Sequence, residues 1–429
     1  MHVERLELNN FRGIRHLELE FSGRTTVLVG INGVGKSAIL DALRSLLLLF
    51  AYELLQAPSQ RLPISLTDIR NDTSEVALKL ALTIENQRLS WGMMATRSVW
   101  FTVKYPDALA QLKGYVATLM KKAQGGETLS VPVVVHYTTT RGDLSWDFRP
   151  KDDAFSGFMG SLLDAYHRAL PADPRDFQPF FEWFREHEDI ENERRARGEP
   201  QFVDPQLAAV RRSVDTLMEG FSELRIERQN KRMSIRKGDE VLDVDQLSSG
   251  EKSLLALVAD LSRRLSLANP GAENPCSGSG VVLIDEVDLH LHPRWQRRLL
   301  PALERTFPQC QFIVTTHSPQ VISEVKPECI YLLERKDGEI QATRPESSFG
   351  RDSNRILEDL MGVDERPTRI KEQLQRFFRL IDEGNLDEAK ALRQALEEEI
   401  GSDEPNFARA DVLIRRKEML VGAPHRPQR

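Results

Sequence analysis

The sequence contains few cysteines, and this scarcity limits what the protein can be. Only Cys276, Cys310 and Cys329 occur in 429 residues. They are far apart and lack the paired spacing of a zinc site. A disulfide-stabilised secreted scaffold is therefore excluded, and the pattern is typical of buried thiols in a reducing compartment.

Long apolar runs and an excess of positive charge are also missing. The longest apolar run, residues 46–51, is far shorter than the roughly 20 residues that span a bilayer, and the N-terminus shows no signal-peptide pattern. We therefore expect a cytoplasmic protein without a membrane segment. Lysine and arginine number 58 against 65 aspartate and glutamate residues, a net charge of −7, so DNA could bind only at a local basic patch.

The most basic stretch lies within residues 224–242, where two short strands are predicted. Two interpretations are open. The stretch could contact nucleic acid, or its cations could protect the edge of a hairpin from pairing with another strand. These cations are Arg225, Arg228, Lys231, Arg232, Arg236 and Lys237.

A complete phosphate-binding loop occupies residues 30–37. It reads GINGVGKS and matches G-x-x-x-x-G-K-[ST] at every specified position. The pattern predicts a buried strand over Thr25–Val29 before the loop and a helix over residues 38–55 after it. This strand–loop–helix context argues against a chance glycine-rich turn.

The loop predicts how a nucleotide is held. Its backbone N–H groups, at Asn32, Gly33 and Gly35 among others, would point at the phosphates together with the positive end of the helix dipole. Lys36 would reach the β- and γ-phosphates, and Ser37 would offer its hydroxyl to Mg²⁺. ATP and Mg²⁺ are the cofactors that we expect.

Two carboxylates follow a second apolar strand, residues 281–284. The end of such a strand would place Asp285 beside the phosphate loop, where it can hold Mg²⁺, and Glu286 could polarise the attacking water. The signal is weak alone. Three further segments strengthen it: residues 247–252, which open an apolar helix, residues 288–293, and residues 315–319, which follow a buried strand.

Each of these segments has a predicted role. Ser248 and Gly250 would form a second anion site at a helix N-terminus, most simply for the γ-phosphate held by another copy. His317, at a strand tip, could touch the γ-phosphate. His290 and His292 could suggest zinc, but no third ligand is evident, and a dimer contact suits their segment better.

Together these residues resemble the ATP-binding-cassette class of ATPases, in its RecF, SMC and OLD-like branch. The resemblance implies that Asp68 occupies about the place of the usual Q-loop glutamine and could serve the metal. Arg12, at a turn predicted between two strands in residues 1–21, could approach the nucleotide or be a solvated turn residue. The roles implied are Walker A for Lys36 and Ser37, Walker B for Asp285 and Glu286, signature for Ser248 and Gly250, and switch histidine for His317.

A narrower resemblance extends from the first strand to about residue 370. The sequence is similar to the bacterial AAA ATP-binding proteins that include the PtuA-like ATPases of Septu and retron-associated anti-phage systems. That family implies a separate partner, typically an HNH nuclease, and this chain has no HNH pattern of its own. The segments that carry the resemblance are residues 132–137, 180–184, 191–192, 285–297 and 311–318.

We therefore predict an α/β fold, an ABC-type P-loop ATPase with an embedded helical insert and a C-terminal helical region. The predicted divisions are residues 1–150, 151–245, 246–345 and 346–429. Aromatic residues at 177–184 in the insert could form a packed helix face or a base-stacking platform. The apolar stripe at 374–400 could pack on the cassette or dock a partner.

The leading functional prediction is an ATP-driven switch. It would act as a homodimer or higher homo-oligomer that closes around ATP and controls an HNH-type nuclease partner. The alternative is a RecF-like DNA repair ATPase that binds DNA and recruits other factors. A transporter subunit is disfavoured by the aromatic insert.

Overall fold

We describe the fold from a computed structural model that covers residues 1–56, 64–97, 102–104, 109–139, 162–166, 169–170, 177–228 and 232–421. The strands are β1 (His2–Phe11), β2 (Ile14–Glu20), β3 (Thr25–Val29), β4 (Glu75–Ile84), β5 (Gln87–Thr96), β6 (Thr102–Lys104), β7 (Val133–Tyr137), β8 (Phe221–Glu227), β9 (Arg232–Lys237), β10 (Glu240–Asp243), β11 (Gly280–Ile284), β12 (Cys310–Thr316), β13 (Ile330–Lys336) and β14 (Glu339–Thr343). The helices are α1 (Lys36–Leu55), α2 (Leu109–Gln124), α3 (Gln178–Ala196), α4 (Pro205–Leu217), α5 (Ser249–Ala268), α6 (Pro293–Thr306), α7 (Pro319–Ile322), α8 (Ser353–Met361), α9 (Thr368–Glu383), α10 (Leu386–Ile400) and α11 (Pro405–Val421).

A six-stranded sheet contains β3, the strand that leads into the loop at residues 30–37. Its strand order is β14-β13-β3-β12-β11-β7, with parallel pairing except between β13 and β14. Every residue of β3, β7, β11 and β12 is buried, as expected for a sheet that is covered on both faces. The carboxyl ends of β3, β11 and β12 therefore meet at one edge, where ligands bind in open α/β sheets.

An antiparallel sheet of order β2-β1-β4-β5-β6 lies beside α1. The hairpin predicted in residues 1–21 is confirmed as β1 and β2, whereas β5 was not predicted. Trp91 of β5 is fully buried, and its indole Nε1 donates a hydrogen bond to the Leu46 carbonyl on α1 at 2.9 Å. Packing against α1 therefore stabilises a strand whose apolar and polar residues alternate poorly.

The basic stretch forms a sheet of three strands, β8, β9 and β10, rather than the two predicted. Four of its cations are paired with carboxylates, and this local neutralisation favours the hairpin-edge interpretation over a nucleic-acid surface. Lys231 lies outside the described residues. The pairs are Arg228–Asp189, Arg232–Asp243, Arg236–Glu223 and Lys237–Glu251.

The aromatic residues of the insert form a packed helix face. All five are at most 5% exposed, and their rings contact one another, as Phe177 and Phe180 do with centroids 4.7 Å apart. Side chains this buried cannot stack on bases, so the packing interpretation is confirmed. The residues are Phe177, Phe180, Phe181, Trp183 and Phe184.

The chain divides into two compact units, Met1–Ile356 and Leu357–Arg429. The finer four-part division stays a prediction. In the second unit, α9, α10 and α11 share a core of their own, so most of the apolar stripe packs internally and is not left exposed for a partner. The stripe residues buried there are Leu374, Phe377, Leu380, Ile381, Ala389 and Leu396. Among the described residues, no helix has both the length and the apolar character needed to cross a membrane.

Ending the chain at Gly362, after α8, should leave the first unit folded and able to bind nucleotide, because α9–α11 form a separate core. Thermal unfolding and equilibrium dialysis with ATP check this expectation. As a matched control, residues 363–421 expressed alone should unfold cooperatively by circular dichroism. An insoluble first unit, or one that has lost ATP binding, would show that the two units depend on each other.

Candidate functional site

The phosphate loop connects β3 to α1, and its glycines adopt backbone conformations that other residues rarely reach. Gly33 and Gly35 have φ angles of 78° and 112°. A Cβ atom on Gly30 would lie 2.5 Å from the Leu333 carbonyl oxygen, whereas one on Gly33 would meet no atom within 4 Å. The loop is therefore packed on one side and open on the other, as a loop that receives phosphates must be.

Lys36 lies inside this loop. Its ammonium group donates to the carbonyls of Gly30 at 2.8 Å and Ile31 at 3.1 Å. Burial lowers the pKa of Lys36, while Asp285 and two nearby carboxylates oppose that shift. The helix begins at Lys36, two residues before its predicted start, and both Ser37 and Asn32 are exposed.

Asp285 and Glu286 follow β11 directly, as predicted. The amide of Asp285 donates to the Tyr137 carbonyl of β7 at 2.9 Å. The Thr315 hydroxyl donates to Asp285 Oδ1 at 2.6 Å and accepts from the Glu286 amide at 2.6 Å. Glu286 has a φ angle of 48°, a conformation that is costly for a non-glycine residue and concentrates at functional sites.

Thr316 continues the same arrangement one residue further along β12. Its hydroxyl donates to Asp288 Oδ1 and accepts from the Ser318 amide at 3.0 Å. Neither Thr315 nor Thr316 was predicted to have a role of its own. Both are fully buried, and buried hydroxyls are nearly always hydrogen-bonded. Two adjacent threonines at the end of an apolar strand could therefore have indicated hydrogen bonds to the neighbouring carboxylates.

His317 stands at the end of β12 and is partly buried. Burial lowers its pKa, the charge of Lys36 lowers it further, and Asp288 and Glu286 act in the opposite direction. A lowered pKa keeps the imidazole neutral at physiological pH, so that it can donate one hydrogen bond. The structure therefore brings Lys36, Asp285, Glu286 and His317 to one edge of the sheet.

Ser248 and Gly250 open α5 as predicted. The Glu251 amide donates to the Ser248 hydroxyl, and Glu251 accepts from the Ser248 amide at 2.9 Å, which is a capping box. A Cβ atom on Gly250 would lie 2.3 Å from the His290 carbonyl oxygen. No hydrogen bond or ion pair in the described part of the chain joins Ser248 to the phosphate loop.

Arg12 and Asp68 are paired with each other. Arg12 Nε donates to Asp68 Oδ1 at 2.8 Å, and its Nη1 donates to Asp41 of α1 at 2.7 Å. The other Asp68 oxygen accepts from the amide and the hydroxyl of Ser65. Burial alone would raise the pKa of Asp68, but the bonds from Arg12 and Ser65 lower it overall. Asp68 as a metal ligand and Arg12 as a nucleotide contact stay predictions.

Ser37 and Asp285 as ligands of Mg²⁺ stay predictions. Both side chains carry hard oxygen donors, which Mg²⁺ prefers. Among the described residues, no group of three or more His, Cys, Asp and Glu side chains could hold a metal. His292 instead caps α6, its Nδ1 accepting from the Arg294 amide at 3.3 Å.

Comparison with known proteins identifies the family. Residues 143–323 match the model "AAA domain, putative AbiEii toxin, Type IV TA system", and residues 1–89 match "AAA ATPase domain". The chain is 30% identical over 480 residues to "Retron Ec83 probable ATPase" of Escherichia coli. The alignment covers 97% of this chain and 87% of that protein. The chain belongs to this ATPase family.

A second relative agrees with the membership. The chain is 34% identical over 149 residues to "Septu protein PtuA" of Bacillus thuringiensis, covering 33% of this chain and 38% of that protein. These two relatives confirm the resemblance to retron and Septu ATPases that was inferred from the sequence. Among solved structures, an SMC head domain from Thermotoga maritima aligns at 18% identity with a TM-score of 0.45, over 81% of this chain and 100% of that structure.

Replacing Thr315 with valine should slow ATP hydrolysis while leaving ATP binding largely intact. The change removes both hydrogen bonds that position Asp285 and the Glu286 amide. Loss of a bond to a charged group corresponds to a rate decrease of roughly 10-fold or more. The control is Thr315→Ser, which keeps the hydroxyl and should hydrolyse ATP at nearly the wild-type rate. Steady-state ATPase assays measure both variants. Equal turnover of the two would show that the Thr315 hydroxyl does not position Asp285 and Glu286 for hydrolysis.

Proposed function

We propose that the chain is a Mg²⁺-dependent ATPase that works as a nucleotide-controlled switch. The observation that carries the proposal is the convergence of Lys36, Asp285, Glu286 and His317 at the carboxyl edge of one parallel sheet. A positively charged lysine, a carboxylate that can bind a metal and a residue that positions the attacking water are recurring parts of phosphoryl-transfer sites. A neutral imidazole can add a hydrogen bond to a phosphate oxygen.

Each of these side chains has a distinct task. Lys36 would leave its two loop carbonyls and pair with the β- and γ-phosphates. Ser37 and Asp285 would hold Mg²⁺, which shields the charge of the phosphate oxygens. Glu286 would orient the attacking water and accept its proton. His317, kept neutral by burial and by Lys36, would donate a hydrogen bond to the γ-phosphate.

We further propose that two copies complete each site together. Ser248 and the N-terminus of α5 form an anion site, yet they make no hydrogen bond to the loop of their own chain within the described residues. A second copy would bring its Ser248 to the γ-phosphate held by the first. Contacts made only when that phosphate is present would favour the closed dimer and would be lost on hydrolysis.

The relatives support a place in anti-phage defence. One carries the name of a retron ATPase and another that of a Septu protein. We therefore propose that the chain acts in the cytoplasm, as a homodimer or higher homo-oligomer, and that its ATP cycle controls a separate HNH-type nuclease. The RecF-like alternative, with DNA as a ligand of this chain, is less supported, because the β8–β10 cations are largely paired with carboxylates.

Mixing two inactive variants tests the shared site. Lys36→Ala removes the phosphate-binding charge, and Ser248→Arg blocks the anion site at α5. A mixed dimer would combine the intact Lys36 of one copy with the intact Ser248 of the other. ATPase activity should therefore appear in the mixture although each variant alone is inactive.

The matched control mixes Lys36→Ala with Glu286→Gln. Both changes affect the same half of the site, so their mixed dimer has no complete site and should stay inactive. Native mass spectrometry confirms that mixed dimers form. The shared arrangement is wrong if the first mixture is as inactive as the second.

A further inference from the structure

A cluster of charged and polar side chains connects the middle of α5 to the end of β7. Asp260 Oδ2 accepts hydrogen bonds from the Tyr137 hydroxyl at 2.9 Å and from Arg264 Nε at 2.6 Å. Asp260 Oδ1 accepts from Arg263 Nη2 at 3.2 Å. Tyr137, Arg263 and Arg264 are each at most 7% exposed. None of the four residues belongs to the proposed nucleotide site.

Stability alone does not explain this cluster. It holds two guanidinium groups in the interior, and Arg263 Nε is buried without a hydrogen-bond partner in the described part of the chain. Removing charged groups from water is costly, and apolar side chains that replace a buried ion pair are often as stable or more so. The cluster therefore points to a role beyond holding the fold together.

Tyr137 makes contacts on both sides of this connection. Its carbonyl accepts from the Asp285 amide at 2.9 Å, because β7 and β11 run parallel in a register that sets Tyr137 opposite Ile284. Burial raises the pKa of Tyr137 well above its ordinary value, and the Asp260 carboxylate raises it further. The hydroxyl therefore keeps its proton and stays a donor. A single residue thus joins the start of the Asp285–Glu286 turn to α5.

The helix α5 is built to move as one body. It contains neither glycine nor proline after Gly250, and these are the residues at which helices commonly kink. Residues 253–259 and 261–268 are buried throughout. Ser248 precedes Asp260 by 12 residues, which is about 18 Å along the helix axis. A shift of the helix at Ser248 would therefore also move Asp260.

The proposed dimer places this connection between its two ATP sites. There, α5 of one copy would contact the phosphate that the loop of the other copy holds. Asp285 and Glu286 would serve the ATP of their own copy. The bond from Tyr137 to Asp260 would then lie between the two sites.

We infer that Tyr137 is a positioning residue that couples the two ATP sites, an inference that rests on the proposed shared site. Contact of α5 with ATP held by the second copy fixes Asp260, and Asp260 fixes the Tyr137 side chain. The Tyr137 carbonyl then holds the amide of Asp285 in the position that hydrolysis needs. A copy therefore hydrolyses its own ATP fastest when its partner also holds ATP.

Mixed dimers measure this coupling. The reporter chain has an unchanged ATP site, and a partner variant is added in excess, at saturating ATP, until the rate per reporter chain no longer rises. The Glu286→Gln partner holds ATP, whereas the Lys36→Ala partner has an empty loop, and both keep Ser248. The reporter chain should hydrolyse ATP about 5-fold or more faster with the Glu286→Gln partner, the lower end of the usual coupling between sites.

The variant that tests the connection is Tyr137→Phe in the reporter chain, which removes the hydroxyl and keeps the buried ring. The ratio of the two rates should then fall below about 2, because the coupling between the sites is lost. A purely structural role would lower both rates together and leave their ratio unchanged. The matched control is Tyr115→Phe, since the buried Tyr115 hydroxyl has no hydrogen-bond partner among the described residues. Its ratio should equal that of the unchanged chain.

Circular dichroism verifies the fold of every variant, and native mass spectrometry verifies the mixed dimers. Equal rates of the unchanged reporter chain with both partners would overturn the inference, and this comparison needs no change at Tyr137. A ratio that Tyr137→Phe leaves as it was would overturn it as well. The mixture of Lys36→Ala with Ser248→Arg separates the two proposals. If that mixture is active while the partner rates are equal, only the coupling is wrong; an inactive mixture overturns the shared site and the coupling with it.

Discussion

The geometry of the candidate site depends on the hydrogen bonds of the Thr315 hydroxyl. This hydroxyl is bonded at once to the carboxylate of Asp285 and to the amide of Glu286, while the Thr315 carbonyl accepts from the Val287 amide at 2.9 Å. These bonds compensate for the costly positive φ angle of Glu286. The turn after β11 is thereby fixed before any nucleotide arrives, and preorganised polar groups of this kind lower the reorganisation cost of catalysis.

The threonines at the end of β12 also connect the carboxylate segment after β11 with the start of α5. A site shared by two copies would use both of these regions. Thr316 holds Asp288, three residues beyond Asp285, and the loop that continues from Asp288 presses its His290 carbonyl against Gly250 at the start of α5. The start of α5, where we propose an anion site at Ser248, is therefore packed against the segment that follows the two carboxylates. If contact with another copy moved α5, the positions of Asp285 and Glu286 in the same chain would change as well.

Local patterns predicted those parts of the candidate site whose residues are adjacent in the sequence. The loop at 30–37 and the pair Asp285–Glu286 follow apolar strands without interruption, so neighbouring residues carry the whole signal. The roles of Thr315 and Arg12 depend on strand order instead. Thr315 meets Asp285 because β12 pairs with β11 in a register that sets Val314 opposite Ile284.

Non-local contacts also explain the remaining differences from the sequence-based predictions. Arg12 and Asp68 are 56 residues apart and meet because Phe11 bridges to Ile69. The strand β5 is stabilised by the contact of Trp91 with α1 rather than by a regular alternation. The apolar stripe of α9 and α10 is covered because α11 supplies the third side of the core, a partner that the periodicity of two helices does not reveal.

Retention of ATP by the Glu286→Gln variant tests the central claim most directly. If Glu286 activates the water and closure needs Ser248 of a second copy, the variant should hydrolyse ATP roughly 100-fold more slowly and keep one ATP per chain through rapid gel filtration. Adding Ser248→Arg to the same chain should abolish this retention, because the site can no longer close. Wild-type turnover in Glu286→Gln, or equal ATP retention with and without Ser248→Arg, would contradict the account.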